Sequence, residues 1–279
     1  MTPLERAWAA INRVADLLGG AGRLPELEDV AGGDDQLEDE APDWDGGWYL
    51  GARRAPAHPG RVGRGIKPWL VVVHTTDMLP GTMAGLLKRR ASERGKGNGE
   101  HFVLGRDPGQ GLVQEVPVDR NANHAGGPAG AHGWVVAGGA RLHPNTLSVG
   151  IEVHNAGGLR LVAGAWRTGS RDDDGVWRPA GAPVPGADVE RDPQREGRGW
   201  HIPTAWQLEQ LEQLLRAFGG CQVMVPPPAT WSIDPSGTPQ GYAPLVEIAG
   251  HPVVGHVTLD PARKGDPHPP ISRWLRELA

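Results

Sequence analysis

The chain has 279 residues, enough for one large domain with an appendage, and its 38% hydrophobic content supports a buried core. Its formal net charge is −5 and it contains no run of clustered basic residues, which argues against nucleic acid as a partner. Glycine (42) and proline (27) are both frequent, so irregular connections should be common, and the lone cysteine, Cys221, excludes an intrachain disulfide and suits a reducing compartment.

Residues 2–18 carry the signals of a helix. Thr2 and Glu5 fit a capping box, Pro3 takes the first helical position, and Gly19-Gly20 ends the element. Leu4, Trp8, Ile11, Ala15 and Leu18 then share one face. Glu5, Arg6 and Asn12-Arg13 interrupt what a signal peptide would need as an apolar run, and no stretch reaches the roughly 18 apolar residues of a membrane span. The expectation is synthesis in the cytoplasm without a signal peptide and with no membrane span. Glu26 to Asp45 is acidic without a basic residue, so 21–65 reads as an acidic, Gly/Pro-rich linker. The alternative is a handle in residues 1–65 for a delivery machine or a regulatory partner.

The main domain is expected over 66–279. Leu70-Val71-Val72-Val73 predicts a strand buried on both faces. A helix follows over 82–91, and a hairpin pairs 101–104 with 112–116. Along 148–154, Val149, Ile151 and Val153 point one way and Gly150, Glu152 and His154 the other. The segment 156–203 is a polar insertion with Trp166, Trp177 and Trp200, too long for an ordinary connection; the tryptophans predict that it is partly ordered. A Thr204/Gln207 capping box opens a helix to Phe218 with the stripe Leu208, Leu211, Leu215, Phe218. A strand precedes His256, and 271–278 closes the chain as a helix. Strands and helices interleave, which predicts an α/β fold with a central mixed β-sheet flanked by helices, plus an N-terminal helical extension.

Two histidines emerge at the ends of valine-rich strands, His74 after Val71-Val72-Val73 and His256 after Val253-Val254. Asp266 trails His256 by ten residues on a loop able to fold back. Two imidazoles and a carboxylate are the ligand set of a catalytic zinc site with a position left for water. Lys264 lies two residues from that carboxylate, where an ammonium can stabilise an oxyanion.

Six segments, in order and spanning the chain from about residue 66 onward, carry a resemblance. They are Val71–Thr76, Glu100–Leu104, Val116–Arg120, Asn123-His124-Ala125-Gly126, Ser148–Glu152 and His256–Pro267. The chain resembles the type 2, zinc-dependent N-acetylmuramoyl-L-alanine amidases, a family that includes phage lysozyme-like amidases, recycling amidases and peptidoglycan recognition proteins.

The resemblance implies one Zn2+ per chain held by His74, His256 and Asp266, with Glu152 assisting proton transfer and Lys264 stabilising the tetrahedral intermediate. It implies that His124 lines the substrate groove without binding metal. Trp134 is a candidate for stacking on substrate, and His101 and His154 for supporting the site from behind the ligands. Non-catalytic members lack the third ligand, which Asp266 supplies. His268 stands where a glycine is usual, and the first 65 residues and the 156–203 insertion match nothing in the pattern.

The implied activity is hydrolysis of the amide between N-acetylmuramic acid and the L-alanine of a peptidoglycan stem peptide. The alternatives are a non-hydrolytic peptidoglycan-binding module, or an amidase toxin or lysin delivered by a phage or injection machine. Site of action divides the same way: cytoplasmic muropeptides, or the cell wall after non-classical delivery.

Overall fold

A computed structural model describes residues 43–76, 83–92, 99–125, 135–171, 177–233, 245–259 and 266–279. The predicted N-terminal helix over 2–18 lies outside these residues, as do Trp134 and Lys264. Among the described residues no helix is long and apolar enough to cross a membrane.

In chain order, the principal strands are β1 (Arg53–Arg54), β2 (Leu70–Thr75), β3 (Phe102–Leu104), β4 (Leu112–Gln114) and β5 (Ser148–Val153). Then come β6 (Gly158–Val162), β7 (Ala165–Arg171), β8 (Trp177–Val184), β9 (Val189–Arg191), β10 (Arg198–His201), β11 (Val246–Ile248) and β12 (His251–Gly255). The helices are α1 (Met83–Ser92), α2 (Ala205–Ala217), α3 (His256–Leu259) and α4 (Pro269–Leu278).

Seven strands form the central sheet in the order β11-β12-β2-β5-β3-β4-β1. It is mixed: β12, β2, β5 and β3 run parallel, β11 pairs antiparallel with β12 and β4 antiparallel with β3, and β1 lies parallel to β4 at the edge. All six residues of β2 and all six of β5 are buried, as expected of parallel strands covered on both faces. Alternation divides them between two cores. Val71, Val73, Val149 and Ile151 pack with Leu211, Leu214 and Leu215 of α2 and with Ile271 and Leu275 of α4. Leu70 and Val72 face the other way, into a smaller core with Trp69, Val254 and Leu259. His74 continues the Leu70–Val72 side, so it leaves the sheet on the face of the smaller core.

The predicted capping box of α2 is present. Thr204 Oγ1 accepts from the Gln207 N–H, and Gln207 Oε1 accepts from the Thr204 N–H, both at 3.1 Å. Its buried stripe uses Leu214 where Leu208 was expected; Leu208 is half-buried.

One expectation changes and one is filled in. The chain enters the core before residue 66. Trp44 stacks on Phe218 at 5.4 Å between ring centroids and donates from Nε1 to the Ala217 carbonyl at 2.8 Å, and β1 pairs with β4. An indole has no reason to stay in water beside its acidic neighbours when an apolar pocket with a carbonyl acceptor is within reach. The 156–203 insertion is a five-stranded antiparallel sheet, β8-β7-β6-β10-β9, closed over its own core of Ala156, Leu159, Trp166, Val184 and Val189.

Candidate metal centre and proton-transfer site

Parallel strands present their last residues at one edge, where open α/β sheets bind ligands. His74 is the fifth residue of β2, and His256 follows directly on the adjacent β12. Asp266 returns beside them, its carbonyl accepting from the Val257 N–H at 2.7 Å. Asp266 Oδ2 lies 3.2 Å from His74 Nδ1 and 3.4 Å from His256 Nδ1, and all three residues are buried. The sequence brought these three together correctly.

The far ring nitrogens are already committed. His256 Nε2 lies 3.0 Å from the Ala125 carbonyl, an acceptor only, so this nitrogen carries the proton and a neutral ring offers Nδ1 as a lone pair. For His74 the assignment passes through three residues. Ser148 Oγ donates to the Pro144 carbonyl at 2.7 Å, which leaves it to accept from His124 Nε2 at 3.1 Å. His124 Nδ1 therefore accepts from His74 Nε2–H at 3.1 Å, and His74 Nδ1 is left as a lone pair. Burial pushes the pKa of both rings down, keeping them neutral.

Burial alone would raise the Asp266 carboxyl. Hydrogen bonds and charge from the His256 and His74 rings, wherever those rings carry a proton toward it, outweigh that and hold it well below the usual carboxylate range. A proton on either Nδ1 could serve the carboxylate, but the bonds at the far nitrogens favour the tautomers that leave both Nδ1 atoms bare. Three lone-pair donors aimed at one another call for a divalent cation. Zinc bonds of about 2.0–2.2 Å in tetrahedral array place ligand atoms about 3.3–3.6 Å apart, close to the separations observed. The residues fit the ion.

His124, expected to line the substrate groove without binding metal, is 2% exposed, with its Nδ1 3.1 Å from His74 Nε2. His101 is fully buried, accepting from the Gly150 N–H at 2.9 Å and donating to the Arg120 carbonyl at 2.8 Å. It braces two backbone segments, and its ring packs 5.7 Å from that of His124. Burial lowers its pKa to about 4. His154 lies just past β5. Its carbonyl accepts from Gln207 Nε2 at 2.9 Å, and its ring lies near enough to His201 to disfavour a proton there.

Glu152 stands opposite His74 in the β5–β2 register. Arg90, from α1, reaches it at 2.6 Å and Glu115 at 2.7 Å, and also pairs with Glu100. Burial and repulsion by Glu152 push Glu100 well up, so Glu100 keeps its proton. Burial pushes Glu152 up as well, but the Glu100 hydrogen bond, Arg90 and His74 outweigh it, leaving Glu152 the ionised member of the pair. Arg90 and Glu115 were given no role from the sequence, and Glu100 only a place in a segment that carries the resemblance. The available signal was phase: Met83, Leu86 and Arg90 occupy one buried helix face.

In an α/β protein, a carboxylate beside two imidazoles and an aspartate at the carboxyl ends of parallel strands is an arrangement that could hold a divalent cation. The chain belongs to the N-acetylmuramoyl-L-alanine amidase family, whose profile matches residues 64–269. Among solved structures it is similar to a selenomethionine derivative of AmpD (20% identity, 84% of this chain and 98% of that one, TM-score 0.43). It is also similar to AmpDh3 from Pseudomonas aeruginosa (21% identity, 77% of this chain and 61% of that one, TM-score 0.41). A third is the N-acetylmuramyl-L-alanine amidase AmiD from E. coli, solved with anhydro-N-acetylmuramic acid-L-Ala-D-gamma-Glu-L-Lys (20% identity, 77% and 58%, TM-score 0.40). The chain spans about three fifths of the length of the last two. No curated protein matches.

Proposed function

We propose that this chain is a zinc amidase that hydrolyses the bond between N-acetylmuramic acid and the L-alanine of a peptidoglycan stem peptide, with muropeptides as substrates. The observation that carries the reading is the convergence of His74 Nδ1, His256 Nδ1 and Asp266 Oδ2, with Glu152 beside them. Family membership supports the bond assignment. Presence of the third ligand, Asp266, favours an enzyme over a binding module.

Zinc held by these residues supplies Lewis acidity and makes water easier to ionise near neutral pH. The chain does the rest. His124 and the Ala125 carbonyl fix the two imidazoles in the tautomers that expose Nδ1. Glu152, ionised and aimed by Arg90, accepts a proton from the attacking water and passes it to the departing alanine nitrogen. Glu100 keeps a proton on the far side of that carboxylate. Lys264 and Trp134 keep the roles the resemblance implies, oxyanion stabilisation and substrate contact.

Digestion of muropeptides followed by mass spectrometry tests this. Stem peptides with new L-alanine N-termini are expected, with one zinc per chain; new reducing sugar ends would overturn the assignment. Asp266→Ala should lose both zinc and turnover, and zinc retained at wild-type affinity would refute the ligand set.

A further inference from the structure

Only one face of the inserted sheet is explained by packing. Leu159, Trp166, Val184 and Val189 make its own core. On the opposite face, register places Arg160 across from Arg198, Gly158 across from Trp200, and Glu190 on the other side of Trp200. The Arg160 guanidinium lies 4.6 Å over the ring of Trp177. Arg273 of α4 crosses to Glu190 in a two-pronged pair, with 2.8 Å between Nη1 and Oε1. Between this face and α4 lies a cavity of about 600 Å³.

A solvated sheet face would account for the arginines but not for two half-buried tryptophans. A core would account for the tryptophans but not for the arginines. Four arginines and two carboxylates line the cavity, an excess of positive charge in a chain of net charge −5. Its volume falls in the range of about 300–1,000 Å³ typical of ligand sites. The chain links it to the metal-ligand candidates: Pro269, three residues beyond Asp266, lines it, and a Cβ at Gly158 would lie 3.9 Å from Cε1 of His268. Glycine at 158 leaves that side without a side chain.

We propose that this cavity binds the carboxylate-bearing peptide arm of the substrate, with Arg198 and Arg160 facing the carboxylate and Trp177 and Trp200 covering the apolar parts of the peptide. The identity of the substrate rests on the amidase reading; the charge and shape of the cavity do not. The insertion thereby selects which stem peptides reach the metal centre.

Calorimetric titration of the full, zinc-loaded chain with free L-Ala-γ-D-Glu-L-Lys needs no turnover. Wild type should bind it. Arg198→Gln should weaken binding by about tenfold or more, the worth of one charge-assisted hydrogen bond. Amidating the glutamate α-carboxylate should cost wild type as much, and Arg198→Gln should then add nothing. Arg198→Lys should recover part of the affinity, and Trp200→Leu should weaken both peptides alike, with unchanged melting reporting an intact fold. No peptide binding, insensitivity to Arg198→Gln and Trp200→Leu, or equal binding of a neutral N-acetylglucosamine oligomer would overturn the proposal. Peptide bound without muramoyl cleavage would refute the amidase reading and leave this site standing; cleavage without peptide affinity would do the reverse.

Discussion

A Cβ added at Gly150 would lie 2.5 Å from Cγ of His124, closer than real side-chain contacts allow. The ring is buried and tied at both nitrogens, so it cannot swing aside without breaking its bonds to His74 and Ser148. Gly150→Ala should therefore act on the metal through His124 and His74. Loss of a supporting partner of this kind typically costs about 10–100-fold in metal affinity. Competition with a chromophoric chelator should show that drop, while far-ultraviolet circular dichroism stays near wild type; unchanged zinc affinity would remove His124 from the support of the site. Ser148→Ala is the gentler version. It deletes the hydroxyl acceptor but leaves the Ser148 carbonyl, 3.4 Å from His124 Nε2, to hold the tautomer, so a smaller loss is expected.

At the level of elements, α1 contributes one buried cation to three buried carboxylates. Arg90→Met keeps much of the side-chain volume and strands Glu115 and Glu152 in a low-dielectric interior. Breaking a buried pair this way costs about 3–5 kcal/mol. Urea unfolding should show the loss, and Arg90→Lys should recover little of it, because an ammonium lacks the fork that reaches several oxygens at once. A stability change under about 1 kcal/mol would mean the carboxylates find other partners. Thr204→Ala, which removes a cap from α2, should cost only about 1 kcal/mol.

The same elements show what a reader of the sequence could see. β2 and α2 were legible because their signals are local: a run of β-branched residues, a capping box and an apolar stripe. The convergence of His74, His256 and Asp266 was legible because two of the three follow such runs. Arg90 was hidden in the run Lys88-Arg89-Arg90, since composition does not show that a cation there turns inward. The burial of His124 was not legible, because nothing local records its contacts with residues 24 and 50 positions away. The strands of the insertion were hidden because their outward positions hold arginine, glycine and tryptophan rather than a plain polar alternation.

For the whole molecule, pH dependence follows from groups whose protonation differs between the folded and unfolded chains. Burial, first among the causes, depresses His74, His101, His124, His201 and His251, with His101 near 4 and His201 near 3. Unfolded, each returns to about 6.5. Below that value the unfolded chain binds more protons, so their contribution, fully present at neutral pH, is lost as pH falls through the window from about 6.5 toward about 3. Glu100 and Glu115, raised by burial, act in the opposite sense: the folded chain holds their protons above about 4.5, where the unfolded chain releases them. Five histidines outweigh two carboxyls between pH 7.5 and 5.0, so the urea midpoint should fall across that range and unfolding at pH 5.5 should take up protons. A midpoint that rises on acidification would show that the buried imidazoles are not neutral rings in the folded chain.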